Sequence, residues 1–358
     1  MTREIIGFVT DLPKGCVTET DIYTDRGALL CPKMTVIDSK TLAALSSYKG
    51  RIHATVSYNP ATDNIETLHQ PDPDNSLEFE DSFKQYAVER LSSLFKNVDD
   101  VDALAAGASE ISDKIVAVID KSKELYINLS KLKVSDEYTY KHSVDVGTMA
   151  AVLAKAVGEN DNFIHDVTVS GLLHDIGKEK IPQEIINKPA KLTAEEFEII
   201  KTHPVHGYRI LVKTDDVSEE MRQGILNHHE NVDGTGYPRG LTEEEIGKMG
   251  QMLSIVDVYD ALVTERSYKE AKSPSQAIEI MFSMGNKFNI EYFKTFLTVV
   301  NPYPNGCVVN LSNGEKATVL RQNKAYPLRP IIELASSKEV VNLALDHSYL
   351  STTIVDVA

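Results

Sequence analysis

Seven of the ten histidines in this 358-residue chain fall between His142 and His229; only His53, His69 and His347 lie elsewhere. Taken as His142, His174, His203, the pair His228–His229 and then Asp257, these residues recur at intervals of 25 to 32 positions. Each interval suits a helix with its connection, or a short helical pair. Successive elements of a bundle would then each deliver one or two side chains to a shared interior point. Helix-start signals agree. Thr193 to Glu196 makes a capping-box pattern ahead of Phe197, Ile199 and Ile200. Ser273-Pro274 with Gln276 supplies a cap, a first-turn proline and a reciprocal partner ahead of Ile278 and Met281. An all-helical domain is expected over residues 135–300.

On both sides the hydrophobic period changes. Ile52, Ala54, Val56 and Tyr58 alternate with polar neighbours, and Leu29 and Leu30 follow the turn-like Thr24-Asp25-Arg26-Gly27, so residues 1–75 read as a β-rich domain. Pro71 and Pro73 among acids mark Gln70 to Asn75 as a linker. From Leu77 to Leu132 the spacing of Leu104, Ile111, Ile115, Val118, Leu125 and Leu129 is helical. Residues 76–134 therefore read as an amphipathic connector, suited to packing on a neighbouring domain or a second subunit, which leaves a homodimer open. After Asn301 strands return: Cys307 to Leu311, the hairpin turn Asn313-Gly314, Ala317 to Leu320 and Ile331 to Leu334. The segment 301–358 is thus β-rich and could pack with the N-terminal domain. Residues 13–17 and 304–308 echo each other over too few positions to establish a repeat. The fold class is mainly α, a helical bundle with smaller β-rich N- and C-terminal segments.

Composition narrows the partners. Against 37 Lys and Arg stand 53 Asp and Glu, a formal charge of -16, which argues against binding a nucleic-acid polymer and leaves a small anionic ligand held by local cations or a metal. No run approaches the roughly 18 apolar residues that span a bilayer. The start Met1-Thr2-Arg3-Glu4 lacks a secretory pattern, so a cytoplasmic protein without membrane contact is expected. Cys16, Cys31 and Cys307 are widely spaced and read as reduced thiols, so any metal would rely on imidazole and carboxylate.

Those donors hold divalent first-row ions. A carboxylate such as Asp175, directly after His174, can bridge two ions about 3.5–4 Å apart, an arrangement that activates a water against a phosphodiester. A single buried histidine is more often a hydrogen-bonded core residue. The adjacent pair His228–His229, about 100° apart on a helix, together with His174–Asp175, tips the balance toward ligation. His165 and His206 lack such company and read as structural.

The run His174-Asp175-Ile176-Gly177-Lys178, then His203-Pro204, then His228-His229-Glu230 through Asp233-Gly234-Thr235-Gly236-Tyr237-Pro238 resembles the HD-GYP domain, a branch of the HD metal-dependent phosphohydrolases. The lead-in from Asp136 to Ser143 and the later Asp257 to Leu262 are similar to it as well, so the resemblance covers about residues 135–300. It implies an HD-type bundle and hydrolysis of a cyclic dinucleotide, cyclic di-GMP or 3′,3′-cyclic GMP-AMP, to the linear form. It also implies that His142, His174, Asp175 and Asp257 hold one metal and Asp175, His203, His228 and His229 the other, with Asp175 as the bridge. Family members with a third metal use a Glu four residues before the first ligand; here Tyr138 stands there and Glu137 is one residue off, so two ions are expected. Iron or manganese come first, while nickel, cobalt or zinc also suit the donors. Arg266 and Lys269 match the family's substrate contacts, although Ser267 replaces the usual proline between them.

Lys178, three positions after Asp175, is the best cation in sequence for the phosphoryl oxygens, which makes Asp175 and Lys178 the catalytic candidates. Gly236 allows backbone to approach a ligand. Tyr237, with an ordinary pKa near 10, is a poor base and would instead stack on substrate, donate a hydrogen bond or face a protein partner. Glu230 reads either as the acceptor that orients a ligand histidine or as a loop acid. The complete ligand set favours a phosphodiesterase over a sensor that binds without turnover; an HD hydrolase of another nucleotide phosphoester stays open.

Overall fold

The computed structural model describes residues 2–357 apart from 58–76, 126–137, 265–270 and positions 8, 10, 11, 13–15, 25, 26, 38, 46, 78, 123, 124, 189, 324 and 325. The expected linker, the lead-in up to Glu137, the segment from Arg266 to Lys269, Leu129 and the first half of the N-terminal echo lie outside the described residues.

The chain begins with β1 (Thr2–Gly7), β2 (Val17–Thr18), β3 (Ile22–Tyr23), β4 (Leu29–Cys31), helix α1 (Ser39–Leu45) and β5 (Ile52–Ser57). Strand β5 is the middle of a three-stranded antiparallel sheet in the order β1-β5-β2. Its period-two pattern buries Ile52, Ala54 and Val56 in one cluster with Cys16, Ile22, Cys31 and Ile37.

The helical part comprises α2 (Asp81–Lys96), α3 (Val101–Lys121), α4 (Tyr138–Val157), α5 (Asp161–Leu173), a 3₁₀ turn (Ile176–Lys180), a single turn (Gln183–Ile186), α6 (Ala194–Ile200), α7 (His203–Leu211), α8 (Glu219–Asn227), a turn (Glu243–Ile246), α9 (Lys248–Val263), α10 (Pro274–Ser283) and α11 (Ile290–Val299). Residues 142–154 of α4 and nearly all of α9 are buried, so these helices form the inside of the bundle. Gly171 and Gly147 let α5 and α4 meet backbone to backbone: a Cβ on Gly171 would lie 2.7 Å from the Gly147 Cα. Helix α3, capped by the Asp100 carboxylate on the Ala103 amide at 3.2 Å, adds Leu104, Ile111 and Ile115 to the same apolar cluster as α4, α5 and α9. It stops at Lys121, so Leu125 continues the period beyond the helix itself. Both expected capping boxes are present, Thr193 with Glu196 and Ser273 with Gln276.

Strands β6 (Val308–Leu311), β7 (Lys316–Arg321), β8 (Ile331–Leu334), β9 (Val340–Asn342) and β10 (Ile354–Val357) form a second antiparallel sheet, ordered β10-β6-β7-β8-β9. Gly314 takes φ +86° at the β6–β7 turn, a conformation glycine adopts without strain. The N- and C-terminal strands belong to separate sheets and their buried apolar residues to separate clusters. Among the described residues no helix is long and apolar enough to cross a membrane.

Candidate metal centre

Three histidines reach the interior by one local device. A helix leaves its last carbonyls without intrahelical donors. His174 follows α5, His203 follows α6 and opens α7, and His228 follows α8. Each ring Nδ1 donates to the carbonyl three residues back: His174 to Gly171 at 2.7 Å, His203 to Ile200 at 2.8 Å and His228 to Ile225 at 2.7 Å. A carbonyl only accepts, so Nδ1 carries the hydrogen and Nε2 keeps its lone pair, directed inward. His142 is fixed differently. Its Nδ1 lies 2.6 Å from Asp260 Oδ2 and its Nε2 3.1 Å from Asp257 Oδ1, the two carboxylates standing one turn apart on α9.

The donor atoms converge as two groups. One atom each from His142, His174 and Asp175 lie within 4.8 Å of one another, as do atoms of His203, His228 and His229. Carboxylates join the groups. Asp175 Oδ2 is 3.3 Å from His174 Nε2 while its Oδ1 is 3.3 Å from His203 Nε2. Asp257 also reaches both groups, with Oδ1 beside His142 and Oδ2 3.6 Å from His229 Nδ1. Gly177 makes the first junction possible: a Cβ there would run into the His203 carbonyl and the Gly207 amide, so the 3₁₀ turn packs bare backbone on the start of α7.

A cation fits this set. His174 Nε2 and Asp175 Oδ1 are buried without a hydrogen-bond partner among the described residues. The Nε2 atoms of His203 and His228 face each other at 3.3 Å although both Nδ1 hydrogens are committed elsewhere. Opposed lone pairs and an unpartnered carboxylate oxygen are costly to bury and are satisfied together by positive charge.

The electrostatics follow from burial and these contacts. Burial pushes His203 down to about 3 and, with the neighbouring His174, His228 down to about 4; burial and His228 also hold His229 well below the usual imidazole range. Burial alone would lower His142 too, but the hydrogen bonds to Asp257 and Asp260 outweigh it and raise it to about 10. Burial opposes the ionised forms of Asp175 and Asp257. His174 and Lys178 nevertheless hold Asp175, and His142 and His229 hold Asp257, well below the ordinary carboxylate value.

Lys178 Nζ lies 2.6 Å from Asp175 Oδ2. Tyr237 stacks on the His229 ring with centroids 4.6 Å apart, and its peptide to Pro238 is cis. Burial, then Asp257 and Asp175, raise its phenol further, so it remains a poor base. Gly236 packs against backbone rather than open space: a Cβ would strike the Asn231 amide and Glu230 Cα, so it is needed to close the loop. Of the two readings of Glu230, the loop acid is the one the contacts support: it is 1% exposed and accepts the Arg239 and Leu241 amides at 2.7 and 3.0 Å, pinning the loop rather than orienting a histidine. His165 bonds Ser109 Oγ at 3.0 Å and Asp166 at 3.1 Å, tying α5 to α3. Arg266 and Lys269 lie outside the described residues. Asp260, which spacing alone did not single out, emerges as the carboxylate behind His142.

A helical bundle that gathers histidines and aspartates into such a centre defines a class. Residues 118–291 match the HD domain family, whose phosphohydrolases are metal-dependent. Gly236-Tyr237-Pro238, the run that resembles the HD-GYP branch of those phosphohydrolases, lies within the matched residues. It is 38% identical over 229 residues to a cyclic di-GMP phosphodiesterase of Pseudomonas aeruginosa, covering 64% of this chain and 55% of that protein. A cyclic di-GMP phosphodiesterase of Thermotoga maritima is 37% identical over 179 residues, 48% of this chain and 49% of its own length. The 3′3′-cGAMP-specific phosphodiesterase 1 of Vibrio cholerae is 34% identical over 145 residues, 40% of this chain and 33% of that protein. The chain thus spans about half the length, or less, of these curated relatives.

Proposed function

We propose that the chain is a metal-dependent phosphodiesterase that opens a cyclic dinucleotide, cyclic di-GMP or 3′,3′-cyclic GMP-AMP, to the linear dinucleotide. The observation that carries the reading is the pair of converging donor groups, His142/His174/Asp175 and His203/His228/His229, with Asp175 and Asp257 reaching across. The set suits two divalent ions, iron or manganese foremost, held by His142, His174, Asp175 and Asp257 on one side and Asp175, His203, His228 and His229 on the other. Bound there, such ions supply Lewis-acid polarisation of a phosphoryl oxygen and activation of a water.

The chain's own groups prepare that chemistry. Backbone carbonyls hold three imidazoles in one tautomer, so their orientation need not be rebuilt when substrate arrives. Lys178 presents a cation next to the bridging carboxylate, where charge accumulates on a phosphoryl group during attack. Tyr237 stacks on one face of the His229 ring. Arg266 and Lys269 are assigned to a second phosphate or a guanine edge, for which a guanidinium fork is well shaped. The substrate class is supported by the names of the Pseudomonas, Thermotoga and Vibrio relatives.

The test is anaerobic reconstitution of the full chain with iron or manganese, then separate incubation with cyclic di-GMP, cyclic GMP-AMP and the linear dinucleotide, with products resolved by chromatography. Metal-dependent linearisation is the expected result. Two bound ions with ligand binding and no product would make the chain a sensor, and neither binding nor turnover would point to another phosphoester.

A further inference from the structure

Outward from the candidate centre runs a ladder of flat rings and one ammonium. Tyr237 stacks on His229 with ring planes 29° apart. Lys201 Nζ then stands 5.8 Å from the Tyr237 ring centroid and 5.2 Å from that of Phe197. Phe197 lies on α6 and Lys201 directly follows that helix, one turn on. No residue of α6 is buried, and Phe197 is 45% exposed. The helix does not depend on this ring for its place. Thr193 and Glu196 cap it reciprocally, and Lys188 pairs with Glu196 at 2.6 Å. An aromatic ring is therefore displayed to solvent beside a cation. The ammonium's carboxylate partner, Glu198 at 2.5 Å, is itself 69% exposed, so a ligand can compete with it at little cost.

We propose that Phe197, Lys201 and Tyr237 form a guanine subsite of the cyclic dinucleotide, with the base stacked on the Phe197 ring and Lys201 donating to its O6 and N7. The proposal rests on the phosphodiesterase reading above. A phosphate held beside His229 would bring its nucleoside next to Tyr237, the ring that leads on to Lys201 and Phe197. Every nucleobase has a π-face for an aromatic ring, so stacking supplies affinity without choosing the base. The ammonium supplies the choice. Guanine offers two acceptors, O6 and N7, where adenine places an N6 amino donor beside its N7, and a lysine pairs with the former and is repelled by the latter. The subsite therefore predicts guanine-containing cyclic dinucleotides ahead of cyclic di-AMP.

The experiment uses the full manganese-loaded chain carrying Phe197→Ala, Phe197→Tyr or Lys201→Gln, with KM and kcat measured on cyclic di-GMP and cyclic di-AMP and metal content measured alongside. Loss of one base–aromatic stack, worth about 1–3 kcal/mol, raises KM roughly 5- to 150-fold. Phe197→Ala should show that rise on cyclic di-GMP with metal content within about two-fold of the parent, and Phe197→Tyr should restore it. Lys201→Gln should raise KM for cyclic di-GMP while leaving cyclic di-AMP nearly unchanged, so that the preference shrinks. If the parent linearises cyclic di-GMP and both Phe197→Ala and Lys201→Gln keep its KM within about two-fold, the subsite is overturned and the phosphodiesterase stands. If the loaded parent turns over no cyclic dinucleotide, the phosphodiesterase reading fails and takes the subsite with it.

Discussion

Asp260 offers the sharpest test of how the centre is held. Its Oδ2 receives the His142 Nδ1 hydrogen at 2.6 Å inside the bundle, where neither residue is more than 3% exposed, and its Oδ1 lies 3.2 Å from Thr264 Oγ1. Asp260→Ala removes a buried acceptor that fixes the ring, a defect of about 1–3 kcal/mol. Carboxylates behind metal-bound histidines typically contribute 10- to 100-fold in metal affinity, about 1.4–2.8 kcal/mol. The expected outcome is a loss of that size for the ion shared by His142, His174 and Asp175, with the affinity at His203, His228 and His229 changed by less than about two-fold. Asp260→Asn keeps an acceptor oxygen without the charge and should fall between parent and alanine. The assay is manganese titration against a chromophoric chelator, which resolves two binding constants, with thermal unfolding as the control for general damage. Equal weakening of both ions would mean that the bundle had loosened, and no weakening in either variant would refute the orienting role.

The remaining predictions concern the bridge, the tight turn and protons. Asp175→Ala should abolish turnover and sharply reduce bound metal, since its two oxygens face different donor groups; retained turnover would sink the bridging assignment. Gly177→Ala drives a methyl into the His203 carbonyl and should destabilise the fold by about 1–3 kcal/mol in urea unfolding, with selective loss of metal at the His203 group. The carboxylates raise His142 to about 10, so its Nε2 carries a proton at neutral pH that an incoming ion must displace, while His203 and His228, pushed to about 3 and 4, release none. Metal affinity should therefore fall about tenfold per unit as pH is lowered from 8 to 6.5. Calorimetry in buffers of different ionisation heat should find about one proton released; none would show that His142 is already neutral.

How far the centre could be read in advance depended on whether a side chain's role is local. The histidine intervals were legible because His174, His203 and His228 are each oriented by a carbonyl three residues away, within the same turn of chain. The alternation of Ile52, Ala54 and Val56 and the Asn313-Gly314 turn were legible for the same reason, being strand and hairpin signals that need no tertiary context. Asp260 was not, because a carboxylate one turn after Asp257 looks like any polar helix position until α4 is laid against α9. Glu230 was legible as a loop acid but its partners were not, since the Arg239 and Leu241 amides come within reach only after the chain has doubled back through the loop. Leu125 misled in the opposite sense: apolar spacing persists past Lys121, but period alone does not say where hydrogen bonding stops.

The local device also explains why the donors sit at helix ends. A histidine within a helix finds the carbonyls around it already engaged, whereas one just past the end meets acceptors that would otherwise need water or a cap. His174, His203 and His228 therefore cap their helices while they orient their own Nε2 atoms, and one hydrogen bond serves stability and function together. The arrangement ties the centre to helix length. One residue added to α5 or α8 would turn the following histidine by about 100° about the helix axis, away from Asp175 or His203. The β-rich flanks face no such constraint, because none of the side chains in the two donor groups comes from them. The strict intervals thus belong to the bundle, where the register of each helix end decides whether its imidazole reaches the others.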